Sequence, residues 1–125
     1  MEVIVLTGIS RRVLDDLLRN PYKTVELRSA RNIEALEGVE RRTRVFLTYE
    51  TFHDVTRGTE GLIAEILKFE EMDQRILWEE SDEREQTIVR IQLKLLGLGK
   101  VIEMERDGVI RAKVREMLPH EMRMG

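Results

Sequence analysis

Apolar and polar positions divide the chain into two stretches with different rhythms. In the first, residues 2–7 form a continuous apolar run and Gly8 a turn, followed by Ser10 as a helix cap. Val13, Leu14, Leu17 and Leu18 then make a helical stripe that Asn20-Pro21 ends. Residues 24–28 read as a second strand. Ser29 caps a short helix bearing Ile33, Leu36 and Val39, and residues 43–49 read as a third strand. Strands joined by helices of this length predict parallel pairing with right-handed crossovers. The expectation for residues 1–58 is a small βαβαβ open sheet, a Rossmann-like α/β unit.

The second stretch, residues 59–118, has a longer period. Leu62, Ile63, Ile66 and Leu67 recur with helical spacing, and residues 72–80 offer Ile76, Leu77 and Trp78 as a second buried side. Ser81 or Asp82 is placed to cap a third helix, with Asp82, Glu83 and Glu85 where a helix N-terminus favours negative charge. Along residues 82–97, Ile88, Ile91, Leu95 and Leu98 share one stripe, which Gly97 and Gly99 can end. Strands at 101–106 and 109–115 flank Asp107-Gly108, a hairpin turn signal. The alternation from Val89 to Leu95 also has strand period, so residues 87–114 fit a three-stranded meander turning at Gly97–Gly99 as well.

Taken as three helices and a hairpin, this stretch resembles the winged helix-turn-helix family of transcription regulators. The residues that carry the likeness are Met72 and Gln74, Thr87-Ile88, Leu95, Gly99, Val101 and the Asp107-Gly108 tip, over residues 60–116. Gln92 departs from the pattern, standing where the family buries an aliphatic residue. The resemblance implies an α/β unit packed on a C-terminal winged helix, with residues 119–125 as a tail. It also implies double-stranded DNA as partner. Arg84, Gln86, Thr87, Arg90 and Lys94 would face the major groove, and Arg106, Arg111 and Lys113 would approach phosphates from the wing. A homodimer follows from the small footprint of one such unit.

Composition narrows the choices. With 125 residues, 42% of them hydrophobic, the chain can build a core. Charged residues make up 36%, arginine far outnumbers lysine, and Asn and Gln are few, which matches proteins of hot environments and points to a thermophilic archaeon or its virus. The net charge of −3 opposes non-specific DNA affinity. Acid is concentrated in residues 59–81, with two basic and seven acidic side chains. No apolar run has the length to span a bilayer, and no cleavable signal precedes Arg11-Arg12, so the expected location is the cytoplasm, or the host cytoplasm for a viral protein. Without cysteine, and with His53 and His120 far apart, neither a metal nor a cofactor is expected.

Two loops of the N-terminal stretch carry candidate ligand chemistry, since ligands of open α/β sheets bind beyond the carboxyl ends of the strands. Thr7, Gly8 and Ser10 form a strand-to-helix turn suited to an anion, without the further glycines of a dinucleotide fingerprint. Asp54-Val55-Thr56-Arg57-Gly58-Thr59 is similar to the Asp-x-Thr-x-Gly-Thr segment of CRISPR-associated Rossmann-fold sensor domains, which bind cyclic oligoadenylates. That six-residue likeness implies a nucleotide ligand at Asp54, Thr56, Gly58 and Thr59. As plain local chemistry, Asp54 or Thr56 caps a helix near Gly58. His53 beside Glu50 and Asp54 has acid-base potential for a hydrolase or nuclease, yet no nucleophile accompanies it. The leading expectation is a DNA-binding regulator, followed by a protein-interaction or nucleotide-sensing module, then an enzyme using His53.

Overall fold

The computed structural model describes residues 2–77 and 83–122, at 72–77 and 83–86 through the backbone. The chain runs β1 (Glu2–Leu6), α1 (Arg11–Arg19), β2 (Tyr22–Leu27), α2 (Ala30–Ala35), β3 (Arg44–Leu47), β4 (Glu60–Leu77), β5 (Glu83–Arg106) and β6 (Ile110–Met117), with a 3-10 turn at Pro119–Glu121. Strand order is β2-β5-β4-β3-β1-β6, and β6 also pairs with β5. That last pairing closes β1, β3, β4, β5 and β6 into a ring, a five-stranded barrel to which β2 is attached at β5.

Residues 2–47 form the elements their pattern predicts, but not the predicted sheet. β1 and β3 are parallel neighbours, whereas β2 leaves them and pairs antiparallel with β5, Val25 opposite Ile91. The open Rossmann-like sheet is therefore not formed. Closure of β1 onto β6 explains why, since it occupies the edge that a parallel β2 would need.

Among the described residues no winged helix-turn-helix is formed either. Residues 62–67, expected as the first helix, lie in β4, and residues 72–77 of the expected second helix continue that strand. The expected third helix is β5, whose residues pair with β4 from Glu83 to Lys100. Trp78, Glu79, Glu80 and the Ser81-Asp82 cap lie outside the described residues. The expected wing is the β5–β6 hairpin, which closes the barrel, with Arg106 opposite Ile110 and Gly108 at φ +109°. The meander's turn at Gly97–Gly99 does not occur either, because β5 runs straight through those glycines.

β4 and β5 are long because each serves two structures. Val89–Lys94 of β5 carry β2, and Leu98–Arg106 carry β6. Irregularities at Leu67, Leu96 and Ile102, each skipped in the pairing register, re-aim the strands between the two tasks. Leu96 and Ile102 are exposed accordingly.

Two apolar cores result. Val3, Val5, Phe46, Ile63, Val101, Ile110, Ala112 and Val114 fill the barrel. On the outer face, Leu14 and Leu17 of α1 and Ala35 and Leu36 of α2 cover Leu6, Val45, Leu47, Leu62, Ala64, Ile66, Ile91 and Leu93. Each fully buried leucine adds roughly 1.5–3 kcal/mol, so β4, buried on both faces, ties the two cores together.

Candidate ligand site at the carboxyl ends of β1 and β3

β1 and β3 end together, with Leu6 opposite Leu47. Parallel strands send their following loops off the same edge, so residues 7–10 and 48–59 meet there. Three backbone bonds stitch them: Thr48 N–H to Leu6 O at 3.1 Å, Ile9 N–H to Thr48 O at 3.0 Å, and Gly8 N–H to Glu50 O at 2.8 Å. Gly8 makes the turn at φ +62° with open space where a side chain would project.

The first loop is fixed by a buried amide. Asn32 of α2 accepts from Thr7 N–H at 2.9 Å and donates through Nδ2 to Thr7 O at 2.8 Å, imitating a strand partner for β1 where none continues. Ser10 caps α1 by accepting from Val13 N–H, and Ser29 caps α2 by accepting from Asn32 N–H. Both helices thereby start at this edge of the molecule.

The second loop is held from the barrel. Arg106 at the end of β5 donates through Nε to Phe52 O at 3.0 Å and through its guanidinium to Val55 O. Gly58 N–H donates to Val101 O and Val101 N–H to Thr59 O, while Thr59 Oγ1 accepts from Thr56 N–H at 2.9 Å. Residues 54–59 are thus a turn that delivers the chain into β4. No helix begins near Gly58, and the segment does not occupy a Rossmann sheet, so the sensor-domain likeness is not carried by the fold.

Two adjoining clefts flank the seam between the loops. One, of about 420 Å³, lies beside Thr7, Gly8, Ser10, Arg31, Asn32 and Phe52; the other, of about 450 Å³, lies beside Arg11, Tyr49, Asp54, Thr56, Arg57 and Thr59. Such volumes suit small molecules. The seven residues singled out as ligand-binding therefore gather at one edge, three in the first cleft and Asp54, Thr56, Gly58 and Thr59 in the second. Each cleft also has a guanidinium on an aromatic ring. Arg11 lies 4.7 Å from the centre of the Tyr49 ring, and Arg31 lies 3.7 Å from that of Phe52. Phe52 is buried, whereas Tyr49 is 47% exposed and offers its ring to solvent.

Arg11, Arg31, Asn32, Tyr49 and Phe52 escaped the sequence reading. Asn32 alone left a signal: it stands one turn before Ala35 and Leu36, a polar side chain on the inward face of α2. The aromatic and arginine pairs meet across long sequence separations and left none.

Glu26, at the rim of the first cleft, is held below the ordinary carboxylate pKa by hydrogen bonds from Arg90 at 2.9 Å and from Arg28 at 3.2 Å. The hydrolase constellation does not assemble. Asp54 accepts from Thr51 Oγ1 at 2.7 Å, and exposed His53 packs edge-on against Phe52 at 5.1 Å. Among the described residues no group of three His, Cys, Asp or Glu side chains could hold a metal ion, and no helix is long and apolar enough to cross a membrane.

The residues expected to read DNA are dispersed. Arg84 and Gln86 stand on the outer reach of β5, opposite Ile76 and Gln74. Thr87 is half-buried, Arg90 is bound to Glu26, and Lys94 is half-buried between Tyr22 and Glu65 of the neighbouring strands. Arg106 anchors the second loop, while Arg111 and Lys113 are exposed on β6, Lys113 at 3.4 Å from Glu103. β5 is a paired strand and not a recognition helix, so the groove-reading assignment loses the element it was built on.

Residues 1–115 match the model of a protein family of unknown function, DUF473. The chain belongs to the DUF473 family. This DUF473 protein is 30% identical over 105 residues to the uncharacterized protein MJ0105 of the archaeon Methanocaldococcus jannaschii, covering 84% of this chain and 68% of that one. Among solved structures it is similar to the N-terminal domain of a Mycobacterium avium complex Lon protease, with a TM-score of 0.49 and 15% identity over 94% of this chain. It spans 55% of that chain. The described fold holds no winged helix-turn-helix, the element on which the DNA-binding and transcription-regulator expectations rested.

Proposed function

We propose that this DUF473 protein is a binding module for a nucleotide-class ligand, held in the clefts beyond β1 and β3. The observation that carries the reading is the Arg11–Tyr49 pair. Tyr49 exposes an aromatic face that the core does not use, and Arg11 has no ion pair among the described residues. A base can stack on such a ring while a guanidinium meets phosphate. Thr56 and Thr59 beside them add short polar side chains, although the Thr59 hydroxyl is already engaged by Thr56 N–H. The neighbouring Gly8 turn and Arg31 extend the same chemistry across the seam.

Binding rather than turnover fits the site, because its one histidine is packed on Phe52 without a carboxylate to orient it. Titration calorimetry with nucleoside mono-, di- and triphosphates tests the reading. Affinity for at least one nucleotide is expected, falling tenfold or more in Tyr49→Ala and in Arg11→Ala with folding intact. Absence of heat across the panel, or equal affinity in both variants, rejects it.

A further inference from the structure

The outer sheet face runs on past its helical cover. α2 is six residues long and is capped at Leu36, while β4 and β5 stay paired to Leu77 and Glu83. After the irregularity at Leu67, Phe69 and Glu71 point to the helix side, opposite Ile91 and Val89. Phe69 falls where the cover stops, and it is 37% exposed. A groove of about 750 Å³ opens there between α2 and the β4–β5 ribbon.

Its chemistry is lopsided. Ile33, Phe69 and Val89 make an apolar floor, while Glu34, Glu37 and Glu71 stand on the rim. Arg28 is the one cation among the described lining residues, and it is taken by Glu26 at 3.2 Å. Phe69 and Glu71 of β4 supply one wall, and Glu71 extends the negative rim onto it.

We infer that this groove docks a peptide segment of a partner protein in which apolar side chains alternate with lysine or arginine. The apolar side chains cover Phe69 and Ile33, and the cations meet the three glutamates. Burial of the floor supplies affinity, and the rim selects charge and speeds encounter. An acidic segment of equal hydrophobicity is rejected by like charge. The groove shares Arg28 with the rim of the first cleft but no residue with the Arg11–Tyr49 cleft that carries the nucleotide reading, so the two are tested separately.

Fluorescence anisotropy tests it with two labelled model peptides of equal length, one alternating leucine with lysine and the other leucine with glutamate. The lysine peptide is expected to bind at least tenfold more tightly, with affinity falling as salt rises. Glu37→Lys/Glu71→Lys lowers its affinity tenfold or more and narrows the gap between the peptides. Phe69→Ala weakens it while leaving charge unchanged, and circular dichroism verifies that both variants fold. Equal affinity for the two peptides, or no effect of either folded variant, overturns the inference. So does a dimer seen by sedimentation that Phe69→Lys splits, because a second copy then covers the groove.

Discussion

Gly61 and Gly99 stand directly opposite one another on β4 and β5, and the Phe46 ring occupies the space their side chains would take. A methyl group on Gly61 would meet the Leu47 carbonyl and come within 2.7 Å of the ring, while one on Gly99 would come within 2.9 Å of Ile63 Cδ1 and 3.2 Å of the ring. The two substitutions therefore differ. Gly61→Ala meets backbone that cannot yield, whereas Gly99→Ala meets side-chain ends that can. Overpacking costs about 1–3 kcal/mol, and Gly61→Ala is expected at or above the top of that range with Gly99→Ala near the bottom. Adding Ile63→Val, which removes the Cδ1 nearest Gly99, relieves Gly99→Ala and leaves Gly61→Ala, set against the Leu47 carbonyl, largely unrelieved. Urea midpoints of the four variants measure this, and equal costs for the two glycines contradict it.

The same glycine shows why the C-terminal half misled. In β5 the helix-side positions are Val89, Ile91, Leu93 and Leu95, a strand period of two, and the skipped Leu96 then moves the next inward residue to Leu98. Two steps of two and one of three place Ile91, Leu95 and Leu98 on a helical stripe. β4 is buried on both faces, so Leu62 and Ile66 on the helix side and Ile63 on the barrel side together imitate a helical spacing. Gly99 looked like a helix end, but it makes room for Phe46. In the N-terminal half the caps Ser10 and Ser29 and the breaker Asn20-Pro21 act locally, and the elements they bound were legible. Pairing was not, because β2 chooses β5, from Leu27 opposite Val89 to Tyr22 opposite Lys94, far along the chain. The two loops of the candidate site were marked by Gly8 and the threonine turn, whereas the aromatic side chains beside them depend on tertiary approach.

Asn32 holds Thr7 from both sides, and Asn32→Ala leaves a buried N–H and a buried carbonyl unpaired. An unmade buried bond costs about 1–3 kcal/mol, so a loss of about 2–4 kcal/mol is expected in denaturant unfolding. Asn32→Asp is informative through pH. An ionised carboxylate accepts from Thr7 N–H but faces Thr7 O, and only the protonated acid donates there. Its deficit is expected to shrink as pH falls from 7 to 4. A deficit that grows over that range contradicts the assignment.

Glu26 joins β2 to β5 through Arg90, with Arg28 as its second partner. Its folded pKa lies below the ordinary 4.5. A depressed carboxylate pKa contributes stability that is present above the unfolded value and lost as pH falls through the folded one. Wild type is therefore expected to exceed Glu26→Gln in melting temperature at pH 7 and to converge with it below pH 4. The difference is small and salt-sensitive because the carboxylate is exposed. A gap that widens on acidification contradicts the linkage.

Arg106 restrains residues 52–55 through two carbonyls. Arg106→Met keeps the aliphatic stem and removes both bonds, with an expected cost of about 2 kcal/mol. Hydrogen exchange is expected to speed up at amides 51–56 more than in β1 or β3. Uniform acceleration across the barrel would show that Arg106 stabilises the fold without specifically holding the loop.

The most direct test of the ligand site is a nuclear magnetic resonance titration of the full chain with the tightest-binding nucleotide of the calorimetric panel. Chemical-shift changes are predicted at Gly8, Arg11, Arg31 and Tyr49 and through residues 54–59, with β6 and the β4–β5 ribbon unmoved. Saturable shifts confined to any other surface, or none at millimolar nucleotide, would contradict the account.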